Sequence, residues 1–345
     1  MIKRALAIFF LVSLCMFGYD TPQFYKARHF QGEPRFEKSG LITVDISSTG
    51  GKTSHAYNQC GNKIYLLDDL PLKLKDKLTS IDDFEKQRIQ GEFSFFELAF
   101  NTYIGFPKGI FAQIYAPFRS LRIDAYSPHY APLISPLQEL LLPKKIRHNG
   151  LADITTLIGL SRNYQDTEVL DFLDIELKAG VIWPTSKAAN QAIFFDIPLG
   201  YNGHFAFPIS CAASIGIFEW LTCGVYGQAM GFSSRSQDSV LKKRGPLLSA
   251  ATYIKADHIL GGFSLLCNYS YDRQQHKSSE NSYINNYKQW SMQTIQTSAE
   301  YDFNEEGRFC GARILLKYEA IVTGKNIFKT SLFGGSLGLD FSCDF

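Results

Sequence analysis

Residues 333–345 read Phe-Gly-Gly-Ser-Leu-Gly-Leu-Asp-Phe-Ser-Cys-Asp-Phe, and their alternation decides the fold class. Phe333, Gly335, Leu337, Leu339, Phe341, Cys343 and Phe345 fall on one face of an extended strand. Gly334, Ser336, Gly338, Asp340, Ser342 and Asp344 fall on the other. Successive strand side chains point to opposite sides, so one face is greasy and aromatic and the other polar. A soluble sandwich strand also alternates. A closed barrel in a bilayer requires it, with apolar side chains toward lipid and polar ones toward the lumen.

The same period of two recurs upstream. Phe205, Phe207, Ile209, Cys211, Ala213, Ile215 and Ile217 oppose His204, Ala206, Ser210, Ser214 and Gly216. Phe263, Leu265, Cys267, Tyr269 and Tyr271 oppose Ser264, Asn268, Ser270 and Asp272. Ala152, Ile154, Thr156, Ile158 and Leu160 oppose Asp153, Thr155 and Ser161. Strands are expected at 36–47, 88–105, 109–124, 149–163, 171–184, 203–217, 220–232, 247–257, 259–272, 289–303, 308–321 and 332–345. The predicted fold is all-β: a single transmembrane antiparallel β-barrel of about twelve strands.

The connections alternate in length. Short ones are expected at 106–108, 164–170, 218–219, near His258 and at 304–307, as periplasmic turns. Longer ones, at 48–87, 125–148, 185–202, 233–246, 273–288 and 322–331, are expected as extracellular loops. Segment 48–87 is long for a loop, and is expected to cap the barrel or fold inward as a constriction. Residues 36–345 would form the barrel and 19–35 a periplasmic leader.

Lys3 and Arg4 precede the apolar run Ala5–Phe17, and Tyr19-Asp20-Thr21-Pro22 is a polar exit. This is the layout of a secretory signal peptide over residues 1–18, so export to the bacterial outer membrane is expected. The small residues Ser13 and Cys15 allow cutting after Cys15, and cutting after Gly18 is the alternative. A lipoprotein at Cys15 is disfavoured by Leu14, where a small residue is wanted. Beyond this run no apolar stretch reaches the roughly 20 residues of a spanning helix.

Lys and Arg total 35 and Asp and Glu 33; losing Lys3 and Arg4 leaves 33 against 33. That balance argues against nucleic acid as a partner, which needs a basic face. The composition, 14% aromatic and 20% charged with 27 glycines, suits a barrel but also a secreted sandwich. Cys60, Cys211, Cys223, Cys267, Cys310 and Cys343 are scattered, so no metal or other cofactor is expected and disulfide pairing stays open.

Three motifs carry weak chemistry. Gly50-Gly51-Lys52-Thr53 resembles the end of a phosphate-binding loop, but Ile46 stands where the motif needs glycine; a glycine-rich turn is the better reading. His276-Lys277-Ser278 has the H-x-S spacing of outer-membrane phospholipases, yet sits in a polar loop. Asp257-His258, and Asp124 with His129, suggest the acid–His pairs of outer-membrane proteases, but the first falls on the periplasmic side. No catalytic residue is assigned and no enzyme activity is expected.

The inward charges say more. Asp153, Asp174, Glu176, Lys178, Glu300, Arg313, Lys317 and Glu319 occupy polar strand positions and are the lumen-lining candidates. Facing lipid, Arg or Lys costs about 2–4 kcal/mol near the midplane, so these should face the lumen. There they either pair across strands as a structural plug, the favoured arrangement in a narrow barrel, or line a water path. Small inward residues Gly216, Gly262 and Gly311 are expected to leave room for solvent.

Signal peptide, alternating strands and terminal Phe together resemble bacterial outer-membrane β-barrel proteins of the porin type. Residues 336–345 resemble the insertion signal read by the barrel-assembly machinery: Leu337, Leu339, Phe341 and Phe345 match, while Cys343 replaces a bulkier residue. Gly150-Leu151-Ala152-Asp153-Ile154 is similar to a strand start of FadL-like and phenol-degradation-associated transporters, with Ala152 for their second Gly. The resemblance implies outer-membrane lipid and the assembly machinery as partners, and small solutes as cargo. It implies passive or facilitated passage through a polar lumen, or else a non-conducting surface, structural or adhesion barrel.

Overall fold

The computed structural model describes residues 40–58, 60–65, 90–126, 145–165, 171–187, 198–218, 220–237, 240–242, 244–275, 289–303 and 310–342. The first six barrel strands are β1 (Leu41–Thr53), β2 (Gln90–Gly105), β3 (Ile110–Tyr126), β4 (Lys145–Leu151 continued by Ile154–Gln165), β5 (Phe172–Trp183) and β6 (Ala206–Phe218). The other six are β7 (Leu221–Phe232), β8 (Leu247–Leu260), β9 (Phe263–Gln274), β10 (Trp290–Asp302), β11 (Cys310–Lys325) and β12 (Ser331–Ser342).

Each strand pairs antiparallel with its sequence neighbours, and β12 pairs with β1 from Leu41↔Ser342 to Lys52↔Ser331. The sheet is therefore a closed twelve-stranded barrel. Closure leaves no edge, so the ladder absorbs the backbone groups that hydrocarbon could not hydrate.

The outer face is apolar as the alternation requires, with Ile158, Ile209 and Phe333 exposed at 68%, 64% and 63%. On β3 the band runs from Ile110 through Ile114 to Phe118 before Ser120 and Arg122. That stretch is about 27 Å along a strand, or about 20 Å of height at a tilt near 40°, close to the apolar band of a transmembrane barrel.

Tight connections gather at one rim, here the turn rim. Pro107–Gly109 forms a single 3-10 turn with Lys108 and Gly109 at positive φ, and Gly261 (φ 61) turns β8 into β9. The opposite, loop rim carries the longer connections.

Several expectations need correction. β1 runs to Thr53, so Gly50-Gly51-Lys52-Thr53 is strand, not turn; Gly51 faces the Ser331 carbonyl so closely that a Cβ would lie 2.3 Å from it. The expected connection 322–331 shrinks to 326–330, because β11 extends to Lys325 and Ile327–Phe328 pairs with His55–Tyr57. That pairing and Lys63–Tyr65 form a three-stranded cap at the loop rim. Burial raises the phenol of Tyr57 above its ordinary value, and its hydroxyl donates to the Val322 carbonyl (2.8 Å).

β4 breaks at Ala152–Asp153. Pro117 of β3 accepts from the Ala152 N–H (2.8 Å) but has no N–H to return, so the ladder stops there. Ala152, expected on the lipid face, is fully buried at this break. The turn rim has a separate fastening, where barrel closure is stapled across β12. Arg313 of β11 reaches over Gly338 to Asp45 of β1 (3.0 Å), with Asp340 at 4.0 Å accepting from the Thr43 hydroxyl (2.6 Å). Gly338 is cross-strand partner to both Arg313 and Asp45, and a Cβ there would lie 2.5 Å from the guanidinium.

Gly338→Val should break this staple and leave a buried Asp45 facing a displaced Arg313, at a cost of about 2 kcal/mol. Ile158→Arg should cost about 2–4 kcal/mol by placing a charge in lipid. Urea unfolding in lipid vesicles checks both; two unchanged midpoints contradict the assignment of faces.

Candidate functional site in the barrel lumen

The inward face has two layers. At the loop rim nearly every strand turns an apolar side chain inward, among them Phe93, Leu121, Ile182, Met230, Trp290 and Leu332. With Phe328 and Tyr57 of the cap they form one buried cluster inside the barrel, and the Phe93 and Phe328 rings lie 4.9 Å apart. The expected polar lumen is therefore interrupted at the loop rim by this cluster, beside which Gln274 and Asp272 are also buried. At the loop rim the interior is mostly an apolar layer, in which Gln274 accepts from the Trp290 indole (2.7 Å).

A segment of the connection before β6 completes this layer. Pro198, Leu199, Gly200, Tyr201 and His204 are buried, so residues 198–204 fold into the barrel rather than outward with the expected extracellular loop. Three clamps hold them. Arg119 Nη1 donates to the Leu199 carbonyl (2.7 Å), while its Nε donates to Glu97 Oε2 (2.6 Å). Glu97 Oε1 accepts from the Tyr115 hydroxyl (2.8 Å).

Asp153, freed at the β4 break, accepts from the backbone N–H of Ser186 (3.0 Å) and Tyr201 (2.5 Å). Gly200 is required beside it, since a Cβ would sit 2.2 Å from that carboxylate. Arg244 stacks over the rings of Tyr201 (5.6 Å) and Phe232 (5.2 Å). Asn202 and Gly203 take positive φ, which folds the segment back on itself.

Beneath lies the charged layer. Glu176 and Lys178, two apart on one face of β5, pair at 2.5 Å. Asp174 accepts from Asn163 Nδ2 (2.5 Å). Asp272, at 0% exposure, accepts from the Ser249 hydroxyl (2.6 Å). Glu319 is buried beside Gln296 and Leu332. Glu300 and Lys317 are half-buried on the inward register, opposite Leu315 and Ser298.

All eight lumen-lining candidates thus fall on the inward face, but not in one place. Asp153 clamps the inward segment, Arg313 staples the seam, and the other six line the wall. The solvent expected beside Gly216 is replaced by the Phe172 ring, 2.5 Å from a Cβ there. Gly262 gives way to the Asp302 carbonyl. Leu337 and Phe341 face outward, Leu339 is half-buried, and Phe345 lies outside the described residues, as do His129 and His276-Lys277-Ser278. Asp257 accepts from the Thr222 hydroxyl (3.1 Å) and pairs with Lys255 (2.7 Å) near the turn rim. Among the described residues, no group of His, Cys, Asp and Glu has the arrangement of a metal site.

Sequence reasoning missed Asp45, Glu97, Arg119 and Arg244, and the segment 198–204. Asp45 and Glu97 were detectable, because both break apolar runs at inward parity. The inward segment left only a faint signal, a Leu and a Tyr within the turn-rich Pro-Leu-Gly-Tyr-Asn-Gly.

No family model matches the chain, and no curated protein is similar to it. Solved structures are. An outer membrane channel from Pseudomonas putida F1 matches with TM-score 0.62 at 12% identity, over 90% of this chain and 100% of that one. The translocator domain of the autotransporter NalP from Neisseria meningitidis gives 0.43 at 8%, over 88% and 89%. The NanC porin gives 0.41 at 9%, over 87% and 100%. The first likeness shows a shared fold, that of an outer-membrane barrel.

Asp153→Ala should free residues 198–204, since two buried amides lose a charged acceptor worth about 1.5 kcal/mol or more. Hydrogen exchange in that segment should quicken by about tenfold or more while β9 and β10 stay protected. Unchanged exchange contradicts the clamp.

Proposed function

We propose that this barrel passes small solutes across the bacterial outer membrane, through a lumen whose loop-side mouth is closed by residues 198–204. The observation that carries the reading is the way that segment is held. A purely structural barrel needs only side chains that fill its interior. Here a separate piece of chain is inserted and held through discrete polar clamps, Arg119 to a backbone carbonyl and Asp153 to two backbone amides. Such contacts break and re-form as a unit, and an apolar constriction excludes water until it opens. The transmembrane outer face and the fold shared with an outer-membrane channel support the location and the class.

The second reading, a non-conducting surface or structural barrel, draws on the density of the interior, where Phe93, Phe111 and Met230 are fully buried. Conductance separates the two. In planar bilayers the protein should show brief, small openings. In Glu97→Gln with Arg119→Met, loss of a charge-assisted bond worth about 1.5–3 kcal/mol should raise the open fraction about tenfold or more. Silence from both proteins contradicts solute passage.

A further inference from the structure

The strands turn an excess of negative charge inward, and we infer that the passage prefers cations and positively charged solutes over anions. This deepens the solute-passage reading and rests on it. Among the described strands, ten carboxylates and five Lys or Arg side chains point inward, although the formal charge of the whole chain is +2. The excess is therefore one of placement, not of composition.

Five of the acids sit against four bases: Asp45 and Asp340 by Arg313, Glu97 by Arg119, Glu176 by Lys178, and Asp257 by Lys255. The other five, Asp174, Asp272, Glu300, Asp302 and Glu319, share the inward face with one further base, Lys317. Asp153 and Arg244, inside the barrel but off the strands, add one charge of each sign and leave the balance unchanged.

Exposed bases also stand on the outer face of the loop rim, where Lys52 pairs with Glu92 (3.2 Å) and Arg122 with Asp124 (2.6 Å), and Arg147 and Arg273 add further positive charge. Arg122 and Arg147 are direct cross-strand partners there, and Asp124 beside Arg122 offsets one of the two charges.

The position of the acids matters as much as their number. Asp272 and Glu319 border the apolar layer, being cross-strand partners of Met292 and Leu332. Asp174, Glu300 and Asp302 lie toward the turn rim, near the ends of β5 and β10. A permeating ion meets carboxylates near the turn rim and again beside the apolar layer. Inside a side-chain-filled barrel the low-dielectric wall focuses the field of these carboxylates, and close to them salt screens little, its screening length being about 8 Å. A chloride ion would meet a barrier where a potassium ion is concentrated.

Reversal potentials of the full chain in neutral planar bilayers, under a KCl gradient, test this. The expected sign is that of potassium preference, with a permeability ratio on the order of tenfold. Asp272→Asn with Glu300→Gln, Asp302→Asn and Glu319→Gln should bring the ratio toward one. Heat-dependent gel mobility confirms that this variant still closes. Liposome swelling by the unaltered protein is a second readout: a small alkylammonium should enter faster than a sulfonate of equal size. A reversal potential at zero or of chloride sign, or faster sulfonate entry, overturns the preference and leaves solute passage standing. Absence of current and swelling from both the native chain and the clamp variant Glu97→Gln with Arg119→Met overturns solute passage, and the preference with it.

Discussion

Hydrocarbon offers a backbone amide no hydrogen-bond partner, and the wall of this barrel follows from meeting that condition. The β1–β12 pairing, twelve residues in register, removes the last edge of the sheet. Once the sheet is closed, the strand period of two assigns every side chain to lipid or lumen. The seam is the one place where closure depends on residues distant in sequence, and there Gly338 lets Arg313 reach Asp45 across the intervening strand. Ladder, alternation and staple are three expressions of a single requirement.

The interior obeys a different rule. A lumen filled only with polar side chains would be wet from end to end. This one is divided, with an apolar layer at the loop rim and charges beneath it. The division rests on the inward turn of 198–204, whose backbone groups must find partners inside the barrel. Arg119, Asp153 and the β4 break at Pro117 supply or permit them. Each polar clamp is thus the consequence of burying a stretch of chain that has no strand to pair with.

The sequence made the wall legible and the contents much less so. Alternation from Phe333 to Phe341, and in β6 and β9, gave faces that the structure reproduces, because lipid contact penalises each misplaced side chain independently. The limits of β1 and β11 were misjudged; in β1 the glycines at 50 and 51 read as a turn, whereas both lie within the strand and Gly51 packs closely against Ser331. The inward segment was nearly invisible, because its partners Arg119 and Asp153 lie 80 and 48 residues from the groups they hold. Contacts that distant have no periodic signature. The charge asymmetry of the lumen was hidden too, in a chain whose acids and bases almost cancel.

Spin labels placed singly along residues 332–341 in lipid vesicles would test the central claim most directly. The account predicts strict alternation: labels at 333, 337 and 341 accessible to oxygen dissolved in the bilayer, and labels at 334, 336 and 338 shielded from it. Uniform accessibility to a water-soluble relaxant along the segment, or uniform shielding from both reagents, would contradict a closed barrel whose wall faces lipid.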